Sequence, residues 1–387
     1  MPSSYPGISF NHEGICNFCT GYKDREYLGK QELVELMNSA DRKSEYDCVV
    51  PLSGGKDSTY ILYFAVKELK LNCIAVSYDS GFQTDIAREN VRKTCAILDV
   101  PLVVRRSPGD VQSKLTRECL LLARRMGFFV GFSVCGNCEV ILRTISFNVA
   151  KTYGVPFILW GSSPQESIDE DTFERYRYGE TRKADLASSF TKTSIISMLF
   201  LRVLRKMHPN ATPYVVSQFA AILEDPERRT LKAIFHVGYH AIRWASYSVI
   251  QRMLMGVPVK YALKPIGLLP FSERNPRFVH FFDYIHWDSI RNIRSLEDEL
   301  HWKHPEGTVS RFDCDLHCLV NYAFLRKYNI SQDGVNLCNF VREKKMSREE
   351  AMRREREIQN SVNRECEDLI RRVGLDDFAL ASLSSGT

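Results

Sequence analysis

The chain of 387 residues has no apolar run of membrane-spanning length and no excess of one charge sign large enough to mark a nucleic-acid binder. Its most apolar piece, Ile195–Leu201, is stopped by Arg202, whereas a spanning helix needs about 20 apolar residues. The amino terminus lacks the basic and then apolar pattern of a secretory signal. These absences predict a protein that crosses no membrane and works in the cytoplasm.

Internal repeats and long low-complexity tracts are also missing, which excludes a solenoid or a disordered linker protein. The net charge of +5 is mild for this length. It suits small anionic substrates such as nucleotides and does not require nucleic acid as a partner. The 44% hydrophobic and 26% charged content is that of a soluble globular protein, and the length allows two or three domains.

Twelve cysteines are present, and in a reducing compartment they favour metal ligands or buried thiols over disulfides. Cys16-x-x-Cys19 and Cys135-x-x-Cys138 have the spacing with which two thiolates hold one ion. Glycine and asparagine lie in or beside both pairs, as in metal-binding knuckle turns. The pairs could share one four-thiolate zinc site, serve separate sites, or be buried thiols.

The other cysteines with a recognisable context are predicted to pack in the core. Cys48, Cys73 and Cys95 fall in strand or helix patterns. Cys314 and Cys318 are one helical turn apart and could be ligands, but packing is the favoured interpretation for this pair.

Short apolar strands alternate with helical patterns from Tyr46 to Gly161, which predicts an α/β fold with a doubly wound parallel sheet. The predicted strands are Cys48–Leu52, Cys73–Tyr78, Leu102–Arg106 and Phe157–Trp160, and the predicted helices are Ser58–Leu69, Thr84–Leu98, Val111–Arg125 and Val140–Tyr153. Ligands of such sheets bind at the carboxyl ends of the strands.

Four regions follow from this pattern. Residues 1–45 form a cysteine-bearing segment, 46–170 an α/β domain, 171–280 a mostly helical region, and 281–387 a helical carboxyl-terminal region. Helices are predicted over Ser194–Met207, Pro213–Leu223 and Leu231–Met255. Ser347-x-x-Glu350 is a capping box that opens a charged helix, the charges of Arg353–Glu357 suit a solvated helix face, and Ala379–Thr387 is predicted to be a frayed tail.

The most informative motif is Ser53-Gly54-Gly55-Lys56-Asp57-Ser58, directly after the first predicted strand. A glycine-rich turn at a helix start presents backbone N–H groups and a partial positive charge, so it is suited to phosphate. Lys56 adds a positive charge, and the serines add hydroxyl groups. Gly54 and Gly55 are adjacent, whereas a Walker A loop has four residues between its first glycine and the Gly-Lys pair.

The string S-G-G-K-D-S resembles the PP-loop of the ATP pyrophosphatases, a superfamily with a HUP-like α/β fold. The resemblance implies that ATP is cut between its α and β phosphates. AMP is then placed on a substrate oxygen, and a nitrogen or sulfur nucleophile displaces it.

A narrower resemblance begins at Tyr5-Pro6-Gly7-Ile8-Ser9-Phe10-Asn11 and Gly14-Ile15-Cys16-Asn17-Phe18-Cys19. It continues through the S-G-G-K-D-S string, Val76–Asp79, Cys135–Cys138 and Trp160-Gly161, weakens in the middle, and returns in Phe282–Ile285 and Met346–Ala351. These segments are similar to the N-acetyl sugar amidotransferases of the WbpG/PseA type, which act in bacterial surface-polysaccharide (LPS O-antigen) and nonulosonate biosynthesis.

That resemblance implies a reaction in which an acetamido group of a nucleotide-linked sugar becomes an acetamidino group, with ATP and Mg²⁺ consumed and ammonia as the nucleophile. It also implies a glutaminase and an ammonia-delivering partner, similar to the subunits that feed imidazole glycerol phosphate synthesis. The family usually carries a further CxxC before the Tyr5 segment. Here either the true start lies upstream of Met1, or Cys16 and Cys19 use other ligands.

The chemistry predicts a role for each site residue. The turn Ser53, Gly54, Gly55, Lys56, Asp57, Ser58 holds the leaving β and γ phosphates, and Asp57 either holds Mg²⁺ or only caps its helix. Asp79 lies on the adenosine side, and Gly161 and Ser162 near the α-phosphate. Glu166 is a weaker candidate for a metal or substrate contact, and Asp283 is a weaker candidate for a residue on the substrate side.

Two other function classes stay open. In PP-loop tRNA thiolases a cysteine pair in a similar region handles sulfur or binds an iron–sulfur cluster, so Cys135 and Cys138 allow that chemistry. The mild net charge and the lack of an RNA-binding module disfavour it. A metal-binding scaffold with a degenerate ATP site is disfavoured by the intact turn.

Overall fold

The computed structural model describes residues 1–5, 8–40, 44–126, 130–161, 231–255, 276–286, 288–305 and 311–375. Several predictions made above lie outside these ranges, namely the helices over 194–207 and 213–223, the tail over 379–387, and the roles of Ser162 and Glu166.

A five-stranded, all-parallel sheet forms the centre of the described chain, in the order β3-β2-β1-β4-β5. The predicted strands are confirmed to within one residue at each end, and a fifth strand was not predicted. The strands are β1 (Cys48–Pro51), β2 (Cys73–Asp79), β3 (Leu102–Arg106), β4 (Phe157–Trp160) and β5 (Arg277–His280).

Helices connect the strands and form the carboxyl-terminal region. They are α1 (Asn17–Thr20), α2 (Lys30–Asn38), α3 (Lys56–Lys67), α4 (Asp85–Leu98), α5 (Val111–Met126), α6 (Val130–Tyr153), α7 (Leu231–Leu254), α8 (Ser289–Leu300), α9 (His317–Tyr328), α10 (Gln332–Arg342) and α11 (Arg348–Arg372). Helix α6 begins ten residues before the predicted Val140. The backbone around Cys135 and Cys138 is therefore helical, and the expectation of a knuckle turn there was wrong.

Both faces of the sheet are covered, because successive side chains of a strand point to opposite sides. On β1, Val50 packs in a core that includes Ile61 of α3, while Val49 packs in a second core with Ile141 of α6. Each fully buried aliphatic side chain stabilises the fold by roughly 1.5–3 kcal/mol. Helices on both faces of a parallel sheet confirm the doubly wound α/β fold.

The strand order creates a crevice at the carboxyl ends of β1 and β4. The chain runs from β1 outward through β2 to β3, and β4 then lies on the other side of β1. Connections that leave neighbouring strands in opposite directions cannot fill the space between them, so ligands of open α/β sheets bind at this point. Residues 53–58 follow β1, and Gly161 follows β4.

Helices α9 to α11 pack on the sheet domain through a core that also contains Phe82 and three residues of α5. The connecting segment 311–317 is bonded to residues 82–84 of the sheet domain. Thr84 N–H donates to Asp313 O (3.3 Å), and Asp315 N–H donates to Phe82 O (2.8 Å).

The first turn of α11 has the predicted cap, since Ser347 Oγ accepts the Glu350 N–H at 3.2 Å. Arg353, on the exposed face of α11, pairs with Glu350 and Glu357, as expected for a solvated face.

None of the helices in the described ranges combines the length and the hydropathy that a membrane crossing requires.

Candidate functional site

Residues Ser53–Ser58, hereafter the SGGKDS turn, connect β1 to α3 at the carboxyl edge of the sheet. Gly55 is the N-cap of α3, so the helix begins at Lys56, two residues before the predicted Ser58. Gly54 has a φ of +89°, and a Cβ there would lie 2.3 Å from the carbonyl oxygen of Ala87. Only glycine combines this left-handed backbone with so close an approach to α4.

The carbonyl groups of the turn are held from the protein interior. Gln83 Nε2 donates to Ser53 O at 2.9 Å, while Asn90 Nδ2 and Trp302 Nε1 donate to Gly54 O at 3.2 and 3.0 Å. In a trans peptide the C=O and N–H groups point in opposite directions. The N–H of Gly54 is therefore directed away from Gln83, and the first N–H groups of α3 begin two residues later.

Side chains within the turn bond to one another and fix its shape. Ser53 Oγ and Ser58 Oγ are 3.1 Å apart, and the Ser53 N–H donates to Ser58 Oγ at 3.2 Å. Lys56 Nζ lies 3.2 Å from Asp57 Oδ2, and both side chains are mostly covered, at 25% and 15% exposure. A cation, two hydroxyl groups and a helix N-terminus thus meet at one point, which is the donor set that phosphate prefers.

A buried carboxylate supports the turn from below. Arg311 Nε and Nη2 donate to Asp313 Oδ1 and Oδ2 at 2.7 and 3.2 Å, and a Cβ on Gly55 would lie 3.3 Å from Asp313 Oδ2. Burial alone would raise the pKa of Asp313, but Arg311 and a hydrogen bond with Ser53 lower it to about 2. Asp313 is therefore ionised under the turn at neutral pH.

Asp79 ends β2 as predicted, and its carboxylate is engaged within the protein. Its Oδ1 accepts the Gly81 N–H at 2.9 Å, Arg106 Nε lies 3.5 Å from its Oδ2, and Arg88 lies 3.8 Å from its Oδ1. The side chain closes the loop after β2 and joins β3 and α4 to it. A contact of Asp79 with adenosine stays a prediction.

Gly161 follows β4 and packs against α3. A Cβ there would lie 2.0 Å from Ile61 Cδ1, so glycine lets the helix that carries the SGGKDS turn approach β4 closely. Asp283 follows β5 and pairs with Arg25 at 2.5 Å. The structure therefore places Asp79 and Gly161 at the carboxyl edge of the sheet, as the sequence predicted, and Asp283 lies at the same edge because it follows the unpredicted strand β5.

The first cysteine pair lies in a compact turn near the amino terminus. Cys16 Sγ and Cys19 Sγ are 3.4 Å apart, Asn11 Oδ1 accepts the Ile15 N–H at 2.8 Å, and Gly14 has a φ of +74°. Such a turn is compatible with a metal knuckle.

The second pair, on α6, faces a second set of donors at the start of α9. His317 forms a side-chain hydrogen bond with Cys135, and Cys314 interacts electrostatically with Cys135 and Cys138. The pKa of the Cys138 thiol is raised to about 12, mainly because the thiol is buried and in smaller part because Cys135 lies near it. Burial opposes protonation of His317, but the Asp333 carboxylate raises its pKa to about 10.

Cys318 points elsewhere, with its Sγ 3.2 Å from that of Cys366 on α11, so the predicted packing role is confirmed for this residue. Taken over the described residues, no three His, Cys, Asp or Glu side chains converge so as to hold one ion. The two CxxC pairs accordingly do not form a shared four-thiolate site in this structure.

Sequence reasoning missed the residues that support the SGGKDS turn, namely Gln83, Asn90, Trp302, Arg311 and Asp313. Only Asn90 left a signal, because it occupies an apolar position of α4 and is 1% exposed. A buried amide in an apolar stripe requires partners, but the sequence does not say which.

A cavity of about 220 Å³ opens between the start of α4 and the carboxyl-terminal helices. Its polar lining includes Thr84, Arg311, Asp315, Asn321 and Ser361. A larger concavity of about 480 Å³ lies at the opposite edge, near Asp47 and Asn72, and is remote from the carboxyl ends of the strands.

Comparison with known proteins gives two matches. Residues 306–385 match the family model described as the C-terminal domain of WbpG-like LPS biosynthesis proteins. An uncharacterized protein of Methanocaldococcus jannaschii is 25% identical over 158 residues, a match that covers 39% of this chain and 53% of that protein. The chain thus spans about half the length of this curated relative. The first match suggests a role in LPS-related biosynthesis.

Proposed function

We propose that the protein is an ATP-dependent amidotransferase that converts an acetamido group of a nucleotide-linked sugar into an acetamidino group. The observation that carries this proposal is the SGGKDS turn at the switch point of the sheet, with Asp313 of the WbpG-like region directly beneath it. A phosphate-binding turn supplies ATP chemistry, and the WbpG-like region supplies the link to LPS biosynthesis.

The SGGKDS turn binds the β and γ phosphates of ATP, which leave as pyrophosphate. The N–H groups at the start of α3 and the Lys56 ammonium offset the charge that builds up on the departing oxygens. Gly161 at the end of β4 keeps the crevice narrow beside the α-phosphate, with Ser162 as a second contact, and Asp79 borders the adenosine side.

The residues present fit a magnesium ion at Asp57, whose carboxylate stands on the first turn of α3 beside Lys56. Bound there, Mg²⁺ would neutralise charge on the pyrophosphate. Zinc is proposed at the cysteine pairs, because two thiolates with CxxC spacing match its preference for sulfur; an iron–sulfur cluster is the other group that such thiols hold.

The reaction balances in two displacements. The acetamido oxygen attacks the α-phosphorus of ATP, the bond between the α and β phosphates breaks, and pyrophosphate leaves. Ammonia then adds to the activated carbon, a proton is lost from nitrogen, and AMP departs with the former amide oxygen. A glutaminase and an ammonia-delivering subunit supply the ammonia in the cytoplasm, and no nucleic acid takes part.

Product analysis tests the proposal. Purified protein receives ATP, Mg²⁺, an ammonium salt and a panel of UDP- and CMP-linked acetamido sugars. We expect AMP and pyrophosphate only when the right sugar is present, and a sugar lighter by the difference between oxygen and NH in the mass spectrum. AMP formed only with tRNA and a sulfur donor would replace the proposal with a tRNA thiolase. Folded protein that forms no AMP would leave a scaffold role.

Replacing Lys56 by alanine tests the turn itself. We expect AMP formation to fall by about 10²-fold or more, as when one charged or hydrogen-bonding group that stabilises a transition state is removed. Lys67→Ala, on the exposed last turn of the same helix, is the matched control and should keep full activity. Equal rates for the two variants would contradict a phosphate-binding role for Lys56.

A further inference from the structure

Two pairs of metal-ligand residue types face each other below the SGGKDS turn. Cys135 and Cys138 are three positions apart on α6, and Cys314 and His317 are three positions apart at the start of α9. Helices α6 and α9 are in contact, and Cys135 packs against a hydrophobic cluster that includes Val320 and Phe324 of α9. Two ligand pairs with CxxC-like spacing are how a tetrahedral zinc site is built.

Side chains of the two pairs interact with each other. Cys135 shares a side-chain hydrogen bond with His317, and Cys138 and Cys314 interact electrostatically. Cys135, Cys138 and Cys314 are half-buried thiols, and His317 is 8% exposed. A set of three sulfur donors and one imidazole disfavours the hard ions Mg²⁺ and Ca²⁺, which prefer oxygen ligands.

The imidazole of His317 is oriented as a metal ligand would be. Its Nε2 lies 2.9 Å from Asp333 Oδ1, and Asn321 Nδ2 donates to Asp333 Oδ2 at 2.8 Å. Asp333 is itself 7% exposed. Ligating histidines almost always donate the N–H of the other ring nitrogen to a carboxylate, a backbone carbonyl or a water, and a carboxylate partner holds the ring in the orientation that binding needs. This arrangement leaves Nδ1 of His317 for the ion.

From this geometry we infer that Cys135, Cys138, Cys314 and His317 form a structural zinc site that pins the segment 311–317 to α6. In the described chain these donors do not yet converge on one point. Binding requires the thiols to lose their protons and turn inward, which zinc drives by replacing those protons. Three thiolates and a neutral imidazole with Zn²⁺ carry one net negative charge, and Arg311, which interacts with Cys138, offsets it.

The zinc site explains how Asp313 is held in position under the SGGKDS turn. This residue lies between Arg311 and Cys314 and touches the SGGKDS turn. An ion held by Cys314 would fix the backbone next to it. The inference extends the zinc proposal made above, but it does not depend on the amidotransferase reaction, because metal content is measured without substrate.

Metal analysis tests the assignment, with the Cys16→Ser/Cys19→Ser full-length chain as the parent so that the other pair contributes nothing. We expect about one zinc per chain in the parent, as in four-ligand structural sites, and a loss of most of it in Cys314→Ser and in His317→Ala. Cys318→Ser is the matched control, since it neighbours His317 but faces Cys366, and it should retain the zinc.

Cobalt substitution is measured on the parent chain, so its result does not depend on whether the variants fold. Three thiolate ligands should give a near-ultraviolet charge-transfer band about three times that of a single Co–S bond, with visible bands of a tetrahedral site. A spectrum of only two thiolates would overturn the inference, as would zinc retained in both Cys314→Ser and His317→Ala. Iron with equimolar acid-labile sulfide in place of zinc would also overturn it.

Discussion

The carbonyl oxygen of Gly54 receives two hydrogen bonds from residues that the sequence places far away. Asn90 comes from α4, and Trp302 follows α8, 248 positions after Gly54. Trp302 is 3% exposed, so its indole both fills a core and fixes the phosphate-binding turn. The orientation of the Gly54 carbonyl group therefore depends on a buried residue far away in the sequence.

Trp302→Phe separates these two roles. Loss of the indole N–H leaves Gly54 O with only the Asn90 donor, and we expect a cost of about 1 kcal/mol in unfolding free energy for the lost hydrogen bond, plus the loss in packed volume. The KM for ATP should rise severalfold as the turn loosens. Trp244→Phe, a core change in the carboxyl-terminal cluster, is the control. It should destabilise the fold without changing the KM, and a rise in KM for both variants would refute a specific role.

Gly161→Ala should destabilise the protein by about 1–3 kcal/mol, the usual cost of overpacking, because the new Cβ meets Ile61 Cδ1. The effect is measured as a shift in the urea unfolding midpoint. Ile61→Val removes Cδ1, so the double variant should recover most of the loss beyond the small cost of Ile61→Val alone. Additive losses would show that strain elsewhere limits this position.

At the scale of single elements, two helices begin with the same residue type in different surroundings. Ser347 caps α11 at an exposed position. Ser331 caps α10, is 0% exposed, and also bonds the Glu355 carboxylate of α11. Water can take over the hydrogen bond that the exposed Ser347 makes to its helix, whereas it cannot reach the buried helix end that Ser331 caps.

We expect Ser347→Ala to cost about 1 kcal/mol and Ser331→Ala about 2–3 kcal/mol, since the latter strands a buried N–H and removes a donor from a charged group. Chemical denaturation of the two variants measures the difference. Equal losses would mean that Glu355 finds another partner in the Ser331→Ala chain.

The strands and helices differ in how well their positions could be predicted from the sequence. Four strands were found because β1, β2 and β4 are buried on both faces and read as apolar runs, and β3 is rich in β-branched residues. Strand β5, with the sequence Arg-Phe-Val-His and one buried residue, lacks that pattern. The start of α6 was missed because Gly131 and Gly136 lower helix propensity, and the cysteine spacing suggested a turn.

At the scale of the whole molecule, the carboxyl-terminal helices and the sheet share a core. Phe82, Leu115 and Leu120 pack in one cluster with Leu316 and Ile358. No pattern in the sequence indicates this contact, because it joins distant segments of the chain through side chains of ordinary apolar type. For the same reason the SGGKDS turn was predictable as a local motif, while its supports at Trp302 and Asp313 were not.

A shared core predicts one cooperative unfolding transition for the described regions. Tryptophan fluorescence reports the four tryptophans of the chain, among them Trp160 of the sheet, Trp244 and Trp302, and circular dichroism reports the helices. The two urea curves should coincide in midpoint and slope. Separated midpoints would show that the carboxyl-terminal helices unfold independently of the sheet.

The place of β5 in the sheet has a consequence for synthesis. Until Arg277–His280 emerges from the ribosome, β4 presents an unpaired, fully apolar edge of Phe, Ile, Leu and Trp. Exposed edges of this kind pair with other chains. More than a hundred residues separate the two strands, so at about 5–20 residues per second the nascent edge stays open for on the order of ten seconds. Slower growth at low temperature also lengthens this interval, so co-expression of a chaperone that binds extended apolar segments should raise the soluble yield more than cooling does.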